Sequence, residues 1–204
     1  MANRFDNRSV DTFKKDIKFA TMLEKHFFYE WIDRILDDPH IDVTSWDNNG
    51  CDNSGEFIAS GNTAGADYRI SGTLNYPDMP FKKVMKDWPI EVKWVPTAGK
   101  LTLKKHDLKA YVEEEASILF IYNSVRCNTD LRKPKDYNFE NHIKLLKSKS
   151  QQFKWGIMWN WQVSRFYDWL QSNDLFKPIS YMGGKQGYAL MQKDFGKWFK
   201  EHNW

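Results

Sequence analysis

Residues Ile118-Leu119-Phe120-Ile121-Tyr122 form a compact apolar run, which reads as a central strand buried on both faces of its sheet. A sheet covered on both sides makes α/β the expected class, and the segments upstream supply the helices and partner strands. Phe13, Ile17, Ala20, Phe27, Trp31 and Ile35 recur at helical spacing, with Ser9 placed to cap the helix and Pro39 placed to end it. A short strand is predicted after Ile41. An Asp-, Asn-, Ser- and Gly-rich loop follows to Gly65, with a second strand expected over Glu56–Ala59. Ala66–Leu74 reads as a strand, the stretch around Pro77 to Asp87 as a loop, and Pro89–Val95 as a strand bracketed by Pro89 and Pro96. Thr102 is a predicted N-cap for a helix running to about Ala116. The expected core, residues 1–125, therefore runs helix, strand, strand, strand, helix, strand, as a mixed central sheet flanked by helices.

Residues 126–204 are expected to form a Trp-rich, mainly helical extension, packed on the core or contacting nucleic acid. Helices are predicted over Asn138–Lys147, Asn160–Ser172 and Asp194–His202, with a hairpin from Ile179–Met182 and Gly187–Met191 between the last two. Six of the ten Trp residues fall in the last 50 positions. At helical spacing such residues serve core packing more often than base stacking.

Two cysteines, Cys51 and Cys127, exclude a disulfide scaffold and a cysteine-based zinc site. Met1 to Arg8 is polar, and no apolar run approaches the ~20 residues that span a bilayer, so a cytoplasmic protein without membrane partners is expected. The net charge of +3 is unevenly placed: −6 over residues 1–78, +7 over 79–154 and +2 over 155–204. The cationic middle suits a polyanionic partner, although an ordinary solvated surface reads the same way. No phosphate loop, HExxH, EF-hand or GxSxG pattern occurs, and the five histidines are scattered.

The chemistry concentrates in Ile90-Glu91-Val92-Lys93-Trp94. Side chains alternate along a strand, so Ile90, Val92 and Trp94 share one face while Glu91 and Lys93 share the other. An acid and a lysine on the same side of an otherwise apolar strand call for a purpose. Asp67, after Gly65-Ala66, begins a strand able to pair with Pro89–Val95, and two carboxylates on neighbouring strands can share a divalent cation. Lys93 would then orient or help deprotonate a water and offset charge on a phosphate. Glu24 projects into the middle of the apolar stripe of the first helix, where an unpaired carboxylate is costly. It is either a further ligand or a solvent-reaching turn.

These segments resemble the PD-(D/E)xK nuclease superfamily, within it the VRR-NUC and Holliday-junction-resolvase-like branches. The residues carrying the likeness are Gly65-Ala66-Asp67, Ile90-Glu91-Val92-Lys93, Gly99-Lys100-Leu101-Thr102 and the run 118–122, covering about residues 56–125. The resemblance implies a restriction-endonuclease-like fold, Asp67 and Glu91 as ligands of Mg²⁺ or Mn²⁺, and Lys93 as the catalytic lysine. It also implies an extra acid on the first helix, Glu24, with Glu30 as the fallback. Two departures stand out. The stretch from Asp67 to Glu91 is longer than usual and contains Pro77-Asp78, which makes Asp78 an alternative first ligand. In addition, Lys104 or Lys105 occupies the place where these branches commonly carry a Gln.

The expected activity is Mg²⁺-dependent DNA endonuclease cleavage by a homodimer, with Lys82, Lys83, Lys86, Lys100, Lys104 and Lys105 along the phosphate track. The alternatives are a non-catalytic nucleic-acid binding protein on the same fold, or an RNA-directed nuclease.

Overall fold

The computed structural model describes residues 10–36, 39–48, 65–75, 77, 83–95, 100–123, 144, 153–179 and 185–191. Helix α1 (Val10–Leu36) leads into strands β1 (Ile41–Asn48), β2 (Tyr68–Leu74), β3 (Lys83–Val95) and β4 (Lys100–Lys104). After helix α2 (Lys105–Glu113) come β5 (Ser117–Asn123) and β6 (Phe153–Met158). Helix α3 (Asn160–Ser172), β7 (Lys177–Ile179) and β8 (Lys185–Met191) complete the described chain. Five strands form a mixed sheet in the order β1-β2-β3-β5-β6, and three form a small antiparallel sheet in the order β4-β8-β7. The β3–β5 pair is parallel, with α2 in the crossover between them. The fold is thus α/β, as expected.

The large sheet separates two apolar layers. On one side Phe27, Phe28, Trp31 and Ile32 of α1 meet Tyr68, Ile70, Ile90, Val92 and Leu119. On the other, Leu108 and Tyr111 of α2 and Val163, Phe166 and Leu170 of α3 cover Ile118, Phe120 and Met158. Ile118, Leu119 and Phe120 are all fully buried, as the apolar run required. In α1 the predicted stripe is seen at Phe27 and Trp31, while the side chains of Phe13, Ile17, Ala20 and Ile35 lie outside the described set.

Three sequence expectations change. First, β3 begins at Lys83, where a loop to Asp87 was expected. It accommodates the extra length through a bulge. Its pairing with β2 shifts between Ile70 and Gly72, and Asp87 takes φ 48°. The Asp87 N–H donates to Ser71 Oγ at 3.0 Å and Arg69 Nη1 donates to the Asp87 carbonyl at 3.2 Å, holding the irregular residue in place. Second, Thr102 caps no helix. Lys100–Lys104 pair residue by residue with β8, Thr102 opposite Ala189, and α2 starts at Lys105. Leu101 and Leu103 are buried with Thr102 between them, a period-two pattern that pairing with β8 stabilises over a helical turn.

Third, the described part of residues 126–204 contains one full helix, a helical residue at Lys144 within the predicted Asn138–Lys147 span, and three strands. Helix α3 matches its predicted span, whereas β6 extends the large sheet and β8 pairs with β4. Residues on both sides of position 125 therefore share both sheets. The predicted hairpin is shifted to β7 and β8, and Gly187 sits where a Cβ would meet the Leu103 carbonyl oxygen at 2.8 Å. The strand expected at Glu56–Ala59 and the helices at Asn138–Lys147 (Lys144 apart) and Asp194–His202 lie outside the described residues.

Candidate active site

Strand β3 presents its two faces to the two layers. Ile90 and Val92 are fully buried against the α1 layer. Glu91 and Lys93 point to the α2 side, where their register partners on β5 are Ile118 and Phe120. Glu91 is only 3% exposed, so its charge has to be met from nearby. Tyr111, on the buried face of α2, donates its hydroxyl to Glu91 Oε1 at 2.7 Å. The Lys93 ammonium pairs with the same oxygen. Glu91 Oε2 is buried and has no hydrogen-bond partner among the described residues.

Asp67 stands at the entry to β2, whose first residue, Tyr68, lies opposite Ile90. This places Asp67 beside the Glu91 end of β3. Its Oδ2 accepts the Val92 backbone N–H at 2.9 Å. The preceding Ala66 N–H donates to Glu114 Oε2 at 3.1 Å, so the entry to β2 is tied both to β3 and to the end of α2. That end is closed by the Ala116 N–H on the Tyr111 carbonyl at 2.8 Å and by Glu115 at φ 55°. The turn fixes where Tyr111 sits and sends the chain straight into β5.

The electrostatics show an excess of negative charge. Burial pushes the Asp67 carboxyl well above its usual range, and the charge of Glu91 raises it further. Glu24 adds to the rise, while Lys93 and the Val92 N–H pull it down. For Lys93, burial favours the neutral amine, but Glu91, the Tyr111 phenol beside it, Glu24 and Asp67 together outweigh it and hold the ammonium well above the ordinary lysine range. Burial and the charge of Glu91 likewise raise Tyr111, which stays a protonated donor.

The structure brings together Asp67, Glu91 and Lys93, with the charge of Glu24 acting on both Asp67 and Lys93. Glu30 does not join them; its Oε1 lies 3.3 Å from His26 Nε2 on α1. Asp78 lies outside the described residues, as does Lys82. Lys83 and Lys86 lie on the other side of the bulge from Glu91, Lys86 about 17 Å away along β3 at 3.3 Å per residue. Lys104 pairs with Asp107 at 3.1 Å, and the Lys105 ammonium sits 5.2 Å above the Phe176 ring. The side chains of Lys83 and Lys100 lie outside the described set.

Tyr111 and Glu114 were not singled out from sequence. Tyr111 follows Leu108 at helical spacing and reads as core. The available signal was its hydroxyl, because a buried tyrosine usually finds a polar partner.

Among the described residues no group of three or more His, Cys, Asp or Glu side chains stands ready to enclose a metal ion. The pair Asp67–Glu91 nevertheless fits a hard divalent cation on three counts. Its donors are carboxyl oxygens, Glu91 Oε2 is a buried acceptor with nothing to accept, and Asp67, pushed toward its neutral form by burial and then by the Glu91 charge, is a carboxyl that a cation would restore to its charged form. Comparison of the chain with family models, curated proteins and solved structures finds no match.

Proposed function

We propose that this chain is a divalent-metal-dependent nuclease acting on DNA, with its active site at Asp67, Glu91 and Lys93. The observation that carries this reading is the divided Glu91 carboxylate: Oε1 is held by Tyr111 and Lys93, while Oε2 is buried without a hydrogen-bond partner among the described residues. The order of elements from α1 through β1, β2, β3 and α2 to β5, with β3 and β5 parallel, also supports a restriction-endonuclease-like reading of the core.

Asp67 and Glu91 would hold Mg²⁺ or Mn²⁺, with Glu24 contributing charge from α1. The ion supplies Lewis acidity toward the scissile phosphate and a lowered pKa for water. Tyr111 fixes the Glu91 rotamer through Oε1. Lys93 would orient or help deprotonate the attacking water and offset charge on the phosphate. The apolar residues around Glu91 thin out the water and strengthen these interactions. Cutting both strands of a duplex calls for two such sites, so the proposal includes a homodimer.

The test is cleavage of supercoiled plasmid and branched DNA with Mg²⁺. Glu91→Ala should lower the rate at least about 10³-fold, the equivalent of several kcal/mol of lost metal assistance. Lys93→Ala should lower it about 10²–10³-fold. Wild-type protein that binds DNA but cuts none of these substrates would defeat the reading. The second reading, a nucleic-acid binding protein on the same scaffold, draws on the Lys93–Glu91 ion pair, and no converged set of three ligands stands among the described residues. It would take over in that case.

A further inference from the structure

On the outer side of α2, a groove of about 470 Å³ is lined by Lys105, His106, Lys109, Tyr167, Lys185 and Gln186. Three separate elements build it: α2, α3 and the start of β8. Three of the six residues are lysines and none is an acid. The nearest competing carboxylates hold on weakly. Lys109 reaches Glu113 at 3.4 Å with both side chains more than 60% exposed, a pair that solvent screens and a stronger anion displaces. His106 and Lys104 both lean on Asp107, which occupies that acid outside the groove. Tyr167 gives the groove an aromatic wall and packs on the buried Phe176 ring at 5.7 Å, over which the Lys105 ammonium lies at 5.2 Å.

We propose that this groove is a second nucleic-acid subsite, which holds the backbone of a strand flanking the point of cleavage. A cationic rim over aromatic surface is the composition that tracks a phosphodiester chain and tolerates any base. An amide such as Gln186 adds a donor and an acceptor for a base edge or a sugar hydroxyl. The placement rests in part on the nuclease reading above. Lys105 and Tyr111 share α2, six residues apart, a rise of about 9 Å. That is roughly three base steps along a duplex strand. Tyr111 faces the sheet and the groove lies on the outer side of α2, so a strand seated on Lys105 and Lys109 would pass round the end of the helix to reach the Asp67–Glu91 cluster. Of the phosphate track expected from sequence, Lys105 is kept, joined by Lys109 on α2 and Lys185 on β8.

The experiment is fluorescence anisotropy with a labelled 20-nucleotide single strand and with the matching duplex, in EDTA so that nothing is cut, over a series of salt concentrations. The triple variant Lys105→Ala/Lys109→Ala/Lys185→Ala should bind at least about tenfold more weakly, and its log–log salt slope should fall by about 2, near 0.7 per lost single-strand phosphate contact. A charge-matched control, Lys18→Ala/Lys25→Ala/Lys86→Ala, removes three cations elsewhere and should keep the wild-type slope. All six side chains are at least partly exposed, and unchanged melting temperatures would confirm folding. Equal slopes for the two triple variants would overturn the proposal. So would wild-type binding to anionic phospholipid vesicles with no binding to either oligonucleotide. Glu91→Ala separates this subsite from the nuclease reading. If that variant and the wild type bind alike but neither cuts with Mg²⁺, the subsite stands and the catalytic reading falls. If the groove variant binds like wild type while wild type cuts, the reverse holds.

Discussion

The two faces of the large sheet are built by the same strands and do opposite things. On the α1 face the buried cluster is apolar and aromatic: Phe28 stacks on Tyr68 with centroids 3.5 Å apart and planes 5° from parallel, over fully buried Ile70, Ile90 and Val92. On the α2 face the next residues of β3, Glu91 and Lys93, bring a buried acid and an ammonium into an equally dense layer. A fold seeking stability alone would place apolar residues at both positions, since a buried ion pair is often no better than a well-packed hydrophobic substitute. One face holds the sheet together, and the other spends part of that stability on a charged cluster.

The sharpest way to break this comparison is to weaken the α1 face. Phe28→Ala should cost about 3–5 kcal/mol of stability, read as a lowered denaturant midpoint, while the folded fraction keeps its specific activity. A loss of activity beyond the loss of folded protein would mean that the faces are not separate in function. On the other face, Tyr111→Phe keeps the ring and removes the hydroxyl that holds Glu91 Oε1. Mn²⁺ affinity should fall about 10–100-fold, as for partners that orient metal ligands, with a stability loss of about 1.5–3 kcal/mol for the hydrogen bond removed from a buried carboxylate. An unchanged affinity would show that Tyr111 is only packing.

Asp67→Asn should show a smaller effect of the opposite sign. The folded-state pKa of Asp67 lies above its ordinary 3.8, so its protonated form is the one the fold favours. That contribution is complete below about 3.8 and is lost as pH rises through the folded value. The Asn variant, which stays neutral and still accepts from Val92 N–H, should be more stable than wild type at pH 7 without metal. The gap should close below pH 3.8. Thermal melts of both proteins across that range would show it, and a wild type more stable at pH 7 would contradict the sign.

The parts of the site legible in the sequence were those set by local periodicity. Alternation along Pro89–Val95 put Glu91 and Lys93 on one face, and helical spacing exposed Glu24 as an acid out of place among Phe27 and Trp31. What stayed hidden depended on distant partners. The reading of Thr102 as an N-cap failed because β8, more than 80 residues later, supplies a strand partner. Lys83 and Lys86 looked close to the site because residues around Pro77 to Asp87 read as a loop; a bulged strand carries them away from it. Tyr111 was concealed for a different reason, since a buried tyrosine in a core and one holding a carboxylate have the same helical spacing.

The central claim is that Asp67 and Glu91 form a divalent-cation site, and the most direct test is calorimetric titration of the metal-free protein with Mn²⁺. The account predicts saturable binding by wild type, a rise in melting temperature with bound ion, and loss of both in Glu91→Ala. Absence of binding by folded wild type, or binding that Glu91→Ala leaves intact, would contradict it.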